Sequence, residues 1–189
     1  MIIMNRKQFI AVFLISCLTG FFAIGQTTNS TIDLIMNSYS VRNFTSEPVS
    51  DSDLELILKC GIKAPSGRNM QPWRFIAVKN TDLTRQMMEG VMPGNVLIVI
   101  CGVADGQDFF DCGLATENMT IAAQSLGLGA RIYGGPVGNI NSSMVQKLNI
   151  PDGYKAIVVL RVGHIDKGVD ATSSATPRNS YNDVVTVLK

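Results

Sequence analysis

The stretch Ala64-Pro65-Ser66-Gly67-Arg68-Asn69-Met70-Gln71-Pro72-Trp73 decides how this 189-residue chain is read. Pro65, Gly67 and Pro72 force a non-helical path, because proline fixes φ and lacks a backbone donor while glycine reaches conformations closed to other residues. Along that path Ser66, Asn69 and Gln71 offer hydrogen bonds without charge. Two readings stand side by side: a turn in which Trp73 anchors the strand that follows, or a display of amides that both donate and accept toward a bound ring.

The flanking residues supply regular structure. Upstream, Thr31 to Met36 reads as a short helix that stops near Ser38-Tyr39-Ser40. Ser50 caps a second, with Asp53 at the capping-box position and Leu54, Ile57, Leu58 and Ile62 on one face. Downstream, Trp73 to Val78 alternates as a strand, and Asn80-Thr81-Asp82 starts a helix carrying Leu83, Met87 and Met88, ended by Pro93-Gly94-Asn95. Val96 to Val103 is apolar on both faces, which fits a central strand covered on both sides. Asp105 to Asp108 leads into a long helix closed by Gly127. Ala130 to Tyr133 is a short strand before the loop Gly134-Gly135-Pro136-Val137-Gly138. Asn141 is expected to cap a small helix to Leu148, and Ala156 to Gly163 is a further strand. The tail from Val169 to Pro177 is polar and irregular. Helices and strands mix without strict alternation, so the class is α+β.

Composition narrows the chemistry. With 46% hydrophobic and 16% charged residues the chain is long enough for one packed domain, and a formal charge of +1 with scattered Lys and Arg gives no reason to expect a nucleic-acid partner. Cys60, Cys101 and Cys112 form no CxxC pair, which argues against a disulfide framework or zinc site, and Cys60 and Cys101 read as buried small hydrophobes. The lone His164 is insufficient for a metal cluster or a Ser-His-Asp triad. An enzyme so poor in nucleophiles borrows its chemistry from a cofactor.

The first 25 residues differ from the rest. Arg6 and Lys7 precede the apolar run Phe9 to Ile15, and Ala23-Ile24-Gly25 supplies small residues at a cleavage-type spacing, so 1–25 reads as a secretory signal peptide and 26–189 as a single domain. The protein is then exported, to a periplasmic-type compartment. Two alternatives stay open: an uncleaved membrane anchor, since Phe9 to Gly25 carries no charge, and a lipobox at Leu14-Ile15-Ser16-Cys17 that would lipidate Cys17.

Two constellations could hold a cofactor. Ser38, Ser40 and Arg42 place two hydroxyls and a guanidinium at a spacing of two on a loop that leaves a helix, the groups a phosphate requires; the alternative is a solvated loop with Arg42 paired to Glu47. The loop from Ala64 to Trp73 offers the amides that an isoalloxazine or nicotinamide edge, itself alternating C=O and N–H, needs for a fixed orientation.

Taken together and in order, Ser-x-Arg-x-Phe, then a helix, then Ala-Pro-Ser-x-x-Asn-x-Gln-Pro-Trp-x-Phe, resembles the nitroreductase family of FMN enzymes. The likeness continues through Gly113 to Met119, Leu126-Gly127-Leu128-Gly129, Val162-Gly163 and Pro177 to Val185. It implies a mixed, mainly antiparallel central sheet flanked by helices, with FMN at the interface of an intertwined homodimer. Carried over by position, Ser40, Arg42 and Arg178 would meet the FMN phosphate. Pro65, Ser66, Asn69 and Gln71 would line the flavin, and Gly134 and Gly135 would let backbone approach its ring. No catalytic side chain is required. A reduced nicotinamide, NADH or NADPH, would give hydride to the flavin in a ping-pong cycle, and a nitroaromatic or quinone would take the electrons. Other flavin chemistry on the same fold (flavin reduction, dehalogenation, oxidative tailoring) and an inert flavin-binding protein are the alternatives, and export leaves room for another electron donor. The chain departs from the family in two places. Ser38, followed by Tyr39, stands where members often carry an Arg, and the span from Pro93 to Asp108 is short where many insert substrate-covering helices.

Overall fold

The computed structural model describes residues 29–103, 106–170 and 175–188. The stretch read as an export signal, Cys17 included, lies outside the described residues. Backbone contacts divide the chain into Met1–Asp33 and Leu34–Lys189. Helix α1, Ser30–Met36, starts at the end of the first unit, and every later element belongs to the second.

Four strands, β1 (Arg74–Val78), β2 (Val96–Gly102), β3 (Gly129–Tyr133) and β4 (Lys155–Gly163), form one sheet in the order β1-β2-β4-β3. All three pairings are antiparallel, as the α+β reading with a mainly antiparallel sheet requires. Every residue of β2 is buried, the consequence of a run apolar on both faces. Val96, Ile98 and Ile100 point into one core, with α2 (Asp51–Ile62) and α4 (Gly106–Ser125). Leu97, Val99 and Cys101 point into the other, with Met87 of α3 (Thr81–Met87) and with Ile140 and Met144. The period of two in a strand thus divides the protein into two packed layers about one sheet.

The helix starts follow their sequence signals. The Ser50 side chain accepts the Asp53 N–H at 3.0 Å and its hydroxyl donates to Asp53 Oδ2 at 2.7 Å, and Asn80 Oδ1 accepts from Asp82 and Leu83 at 3.0 Å each. Gly61 lets α2 approach α4, since a Cβ there would lie 2.8 Å from Met119 Cγ. Gly127, with φ +76°, ends the chain's passage out of α4.

Asn141 differs from expectation. Val137–Asn139 is a helical turn running into a π-helical turn over Ile140–Met144, so Asn141 lies inside it and caps nothing. Its amide instead donates to Ala156 O at 2.9 Å and accepts the Ala156 N–H at 2.8 Å, pinning this layer to the start of β4. A backbone pair across a strand edge outcompetes the cap because it satisfies both functions of the amide at once.

Candidate cofactor site

Strand register gives the sheet two ends. Arg74, Cys101, Gly102 and Lys155 lie at one, and Val78, Val96, Gly163 and Gly129 at the other. The predicted residues distribute over both.

At the Gly129 end, the backbone from Tyr39 to Thr45 is laced to its neighbours. Val41 N–H donates to Ala130 O at 3.3 Å, Phe44 bridges Ile165, and Thr45 N–H donates to His164 O at 2.8 Å. Gln124 of α4 donates to Tyr39 O at 3.1 Å. Val41 is buried while Ser40 and Arg42 face solvent, so the alternation of an extended segment presents the hydroxyl and the guanidinium together. Arg42 does not pair with Glu47, which instead lies 3.6 Å from His164 Nδ1. Its Nη2 is 3.4 Å from Thr176 Oγ1, and Arg178 Nη1 donates to Thr176 O at 3.3 Å. The two predicted phosphate cations therefore converge on one residue.

Beneath this loop lies a carboxylate the sequence reading missed. Asp170, 5% exposed, accepts the N–H groups of Arg42 at 2.6 Å and Asn43 at 2.7 Å. Tyr39 also hydrogen-bonds to it, and the phenol is held above its ordinary value by burial first, then by the Asp170 charge and this bond.

The other set lies at the Arg74 end. Gly67–Asn69 forms one turn of 3-10 helix in which Arg68, Asn69 and then Gln71 take φ of +51°, +57° and +49°. Three non-glycine residues in the left-handed region within four positions cost free energy, which surrounding bonds must offset. Those bonds are present: Asp111 of α4, 1% exposed, accepts Gly67 N–H, and Ser66 Oγ accepts Gln71 N–H at 3.0 Å. Gln71 Nε2 donates to Asn69 O at 3.3 Å, and Trp73 is buried at the foot of the loop. The Trp73-anchored turn is seen, and it leaves Pro65, Asn69 and Gln71 exposed.

Gly134 and Gly135 follow β3 toward this same end, and a Cβ at either would meet no described atom within 4 Å. They are nevertheless across the sheet from the amide loop: β1 and β3 are its outer strands, three strand spacings or roughly 14 Å apart. One chain does not gather all nine predicted residues around a single point.

The two buried thiols offer no competing chemistry. Burial pushes Cys101 up to about 11, and burial followed by the charges of Asp108 and Asp111 pushes Cys112 up to about 12, so both are protonated at neutral pH. Among the described residues, no three His, Cys, Asp or Glu side chains gather as a metal site.

Comparison with known proteins identifies the family and the fold. The nitroreductase family model matches residues 35–96 and 102–164. An Archaeoglobus fulgidus protein, provisionally named NADH dehydrogenase/NAD(P)H nitroreductase, is 32% identical over 148 residues, covering 70% of this chain and 84% of that one. The FMN reductase (NADPH) of Bacillus subtilis is 26% identical over 167 residues, 72% of this chain and 66% of its own length. Among solved structures, a nitroreductase with bound FMN from Desulfitobacterium hafniense superimposes with a TM-score of 0.73 at 26% identity, over 86% of this chain and 100% of that one.

Proposed function

The chain belongs to the nitroreductase family, and from that premise we propose that it is an FMN-dependent oxidoreductase drawing on NAD(P)H. The observation that carries this reading is the loop from Ser66 to Gln71, whose left-handed residues are held by Asp111 and Ser66 while Asn69 and Gln71 remain exposed. Strain maintained at an exposed, amide-bearing loop is what a pre-organised ligand site requires.

The residues fit FMN. Its phosphate suits two guanidiniums that converge on Thr176, with the Ser40 hydroxyl two positions from Arg42 on the same exposed side, and its ring edge suits alternating amide donors and acceptors. When bound, FMN would supply two-electron transfer between a reduced nicotinamide and an electron-poor acceptor such as a nitroaromatic or quinone. The chain's tasks are to bind and orient. Arg42 and Arg178 hold the anionic end, Asn69 and the Ser66 hydroxyl fix the ring edge, and the bare backbone at Gly134 and Gly135 leaves room for a flat ring. Between α3 and α4 the described chain contains β2 alone, so little of it covers an acceptor.

A homodimer belongs to this proposal. The distance across the sheet between the amide loop and β3 supports a site completed by a second copy, whose loop would meet the first copy's phosphate residues. Exposed Phe109 and Phe110 on α4, and Val184, Val187 and Leu188 near the C-terminus, are apolar surface such a partner would cover. Export through the N-terminal segment is likewise proposed, on its basic start and apolar run. Denaturing the purified protein and identifying the released flavin by chromatography tests the cofactor: FMN is expected, and its absence after attempted loading would refute the assignment.

A further inference from the structure

We infer that Asp170 is a positioning residue that fixes Arg42 for the flavin phosphate and so makes the chain select FMN over riboflavin. This rests on the FMN reading above and goes past it to the origin of phosphate selectivity.

A carboxylate only 5% exposed is expensive to bury unless donors surround it. Asp170 Oδ2 accepts the adjacent N–H groups of Arg42 and Asn43 at 2.6 and 2.7 Å, stands 3.5 Å from Asn43 Nδ2, and receives the Tyr39 hydroxyl. The segment that carries it is itself tied down: Asp170 N–H donates to Asp166 O at 2.8 Å, and Asp166 N–H to Asn43 O at 3.2 Å. Charge-assisted bonds to two successive amides leave the backbone at Arg42 little freedom, so its side chain starts from one place.

The charge of Asp170 is spent on the Arg42 backbone and on Tyr39. Among the described residues it forms no ion pair with the Arg42 guanidinium, which donates to the Thr176 hydroxyl at 3.4 Å. The guanidinium therefore keeps its charge for an incoming anion. Six positions after Asp170 the chain reaches Thr176 and, two later, Arg178, so the carboxylate that places the first cation also begins the segment that delivers the second. Ser38 stands where members of the family often carry an Arg, and with fewer cations the placement of those remaining matters more.

The test compares FMN and riboflavin binding by the full-length protein and by Asp170→Ala and Asp170→Asn, using flavin fluorescence. Riboflavin shares the ring and ribityl chain and lacks the phosphate, so a general loss of structure weakens both ligands, whereas misplacing Arg42 weakens FMN alone. The wild type is expected to prefer FMN. Asp170→Ala should reduce that preference about tenfold with riboflavin affinity nearly unchanged, and Asp170→Asn, whose amide oxygen still accepts both N–H groups, should lose about threefold. If Asp170→Ala does not fold, the Asn variant decides. An unchanged preference in either folded variant, or equal loss of both flavins, overturns the inference while leaving FMN binding intact. A wild type that binds FMN no better than riboflavin removes the phosphate assignment itself, and this inference with it.

Discussion

The Asp111 carboxylate, on the long helix α4, sits 3.2 and 3.1 Å from the Gly67 amide nitrogen through its two oxygens. That bond joins the rigid core to the strained turn of the amide loop. Asp111→Ala would leave a part-buried N–H without this acceptor, at a cost of about 1–3 kcal/mol, and release the turn. Thermal melting should drop by several degrees and FMN affinity should fall with it. An FMN affinity equal to the wild type's would show that the loop needs no such support.

Arg42 and Arg178 share Thr176 and are assigned one task. Both are exposed, so replacing either with alanine should leave the melting temperature nearly unchanged. Each loss should weaken FMN binding by roughly tenfold or more, as for a charged hydrogen bond worth about 1.5–3 kcal/mol. Wild-type FMN affinity in both variants would place the phosphate elsewhere.

Tyr39 gives a pH signature. Burial, the Asp170 charge and the bond to Asp170 hold its phenol above the ordinary value of 10.0. With the folded value raised, the phenol's contribution to stability is complete below about pH 10 and is lost as pH climbs through the folded value. An absorbance titration should show one tyrosine ionising later than in Tyr39→Phe, where that late phase disappears. In Asp170→Asn, which removes the charge and leaves an oxygen that can still accept the hydroxyl, the phase should move part of the way back toward the ordinary range. A titration identical in all three proteins would exclude the Tyr39–Asp170 contact.

Arg161 of β4 is 6% exposed, and Asn95 Oδ1 accepts from both its Nε at 2.9 Å and its Nη2 at 2.6 Å. The guanidinium also lies 4.1 Å from the centroid of the Phe44 ring. Asn95→Ala strips that acceptor from a buried charge and removes the amide that donates to Thr45 O at 2.9 Å. Chemical denaturation should report a loss of about 2–3 kcal/mol, in the range for removing a hydrogen-bond acceptor from a buried charged group. A loss under about 0.5 kcal/mol, the size expected of a surface substitution, would contradict this role.

Where a residue's role is local, the sequence carried it. Ser50 and Asn80 cap because their side chains reach amides two or three positions on, and β2 is buried on both faces because every residue in it is apolar or small. The amide loop was legible through its prolines and glycine, although the left-handed turn at Arg68, Asn69 and Gln71 was not, since it depends on Asp111 some forty positions away. Asp170 was invisible for the same reason: it lies in a polar tail without periodicity, and its partners Tyr39, Arg42 and Asn43 are more than a hundred residues earlier. Asn141 shows the reverse failure, a local cap signal overridden by two bonds to Ala156. Long-range hydrogen bonds leave no spacing to read, and they supply much of the site's rigidity.

The most direct measurement is anaerobic. Purified protein loaded with FMN is mixed with NADH or NADPH while the flavin absorbance is followed, and a nitroaromatic such as nitrofurazone or a quinone is then added. The proposed function predicts that the flavin band bleaches with at least one reduced nicotinamide and returns on addition of the acceptor, in a protein that sediments as a dimer. A loaded flavin that neither NADH nor NADPH bleaches would contradict it.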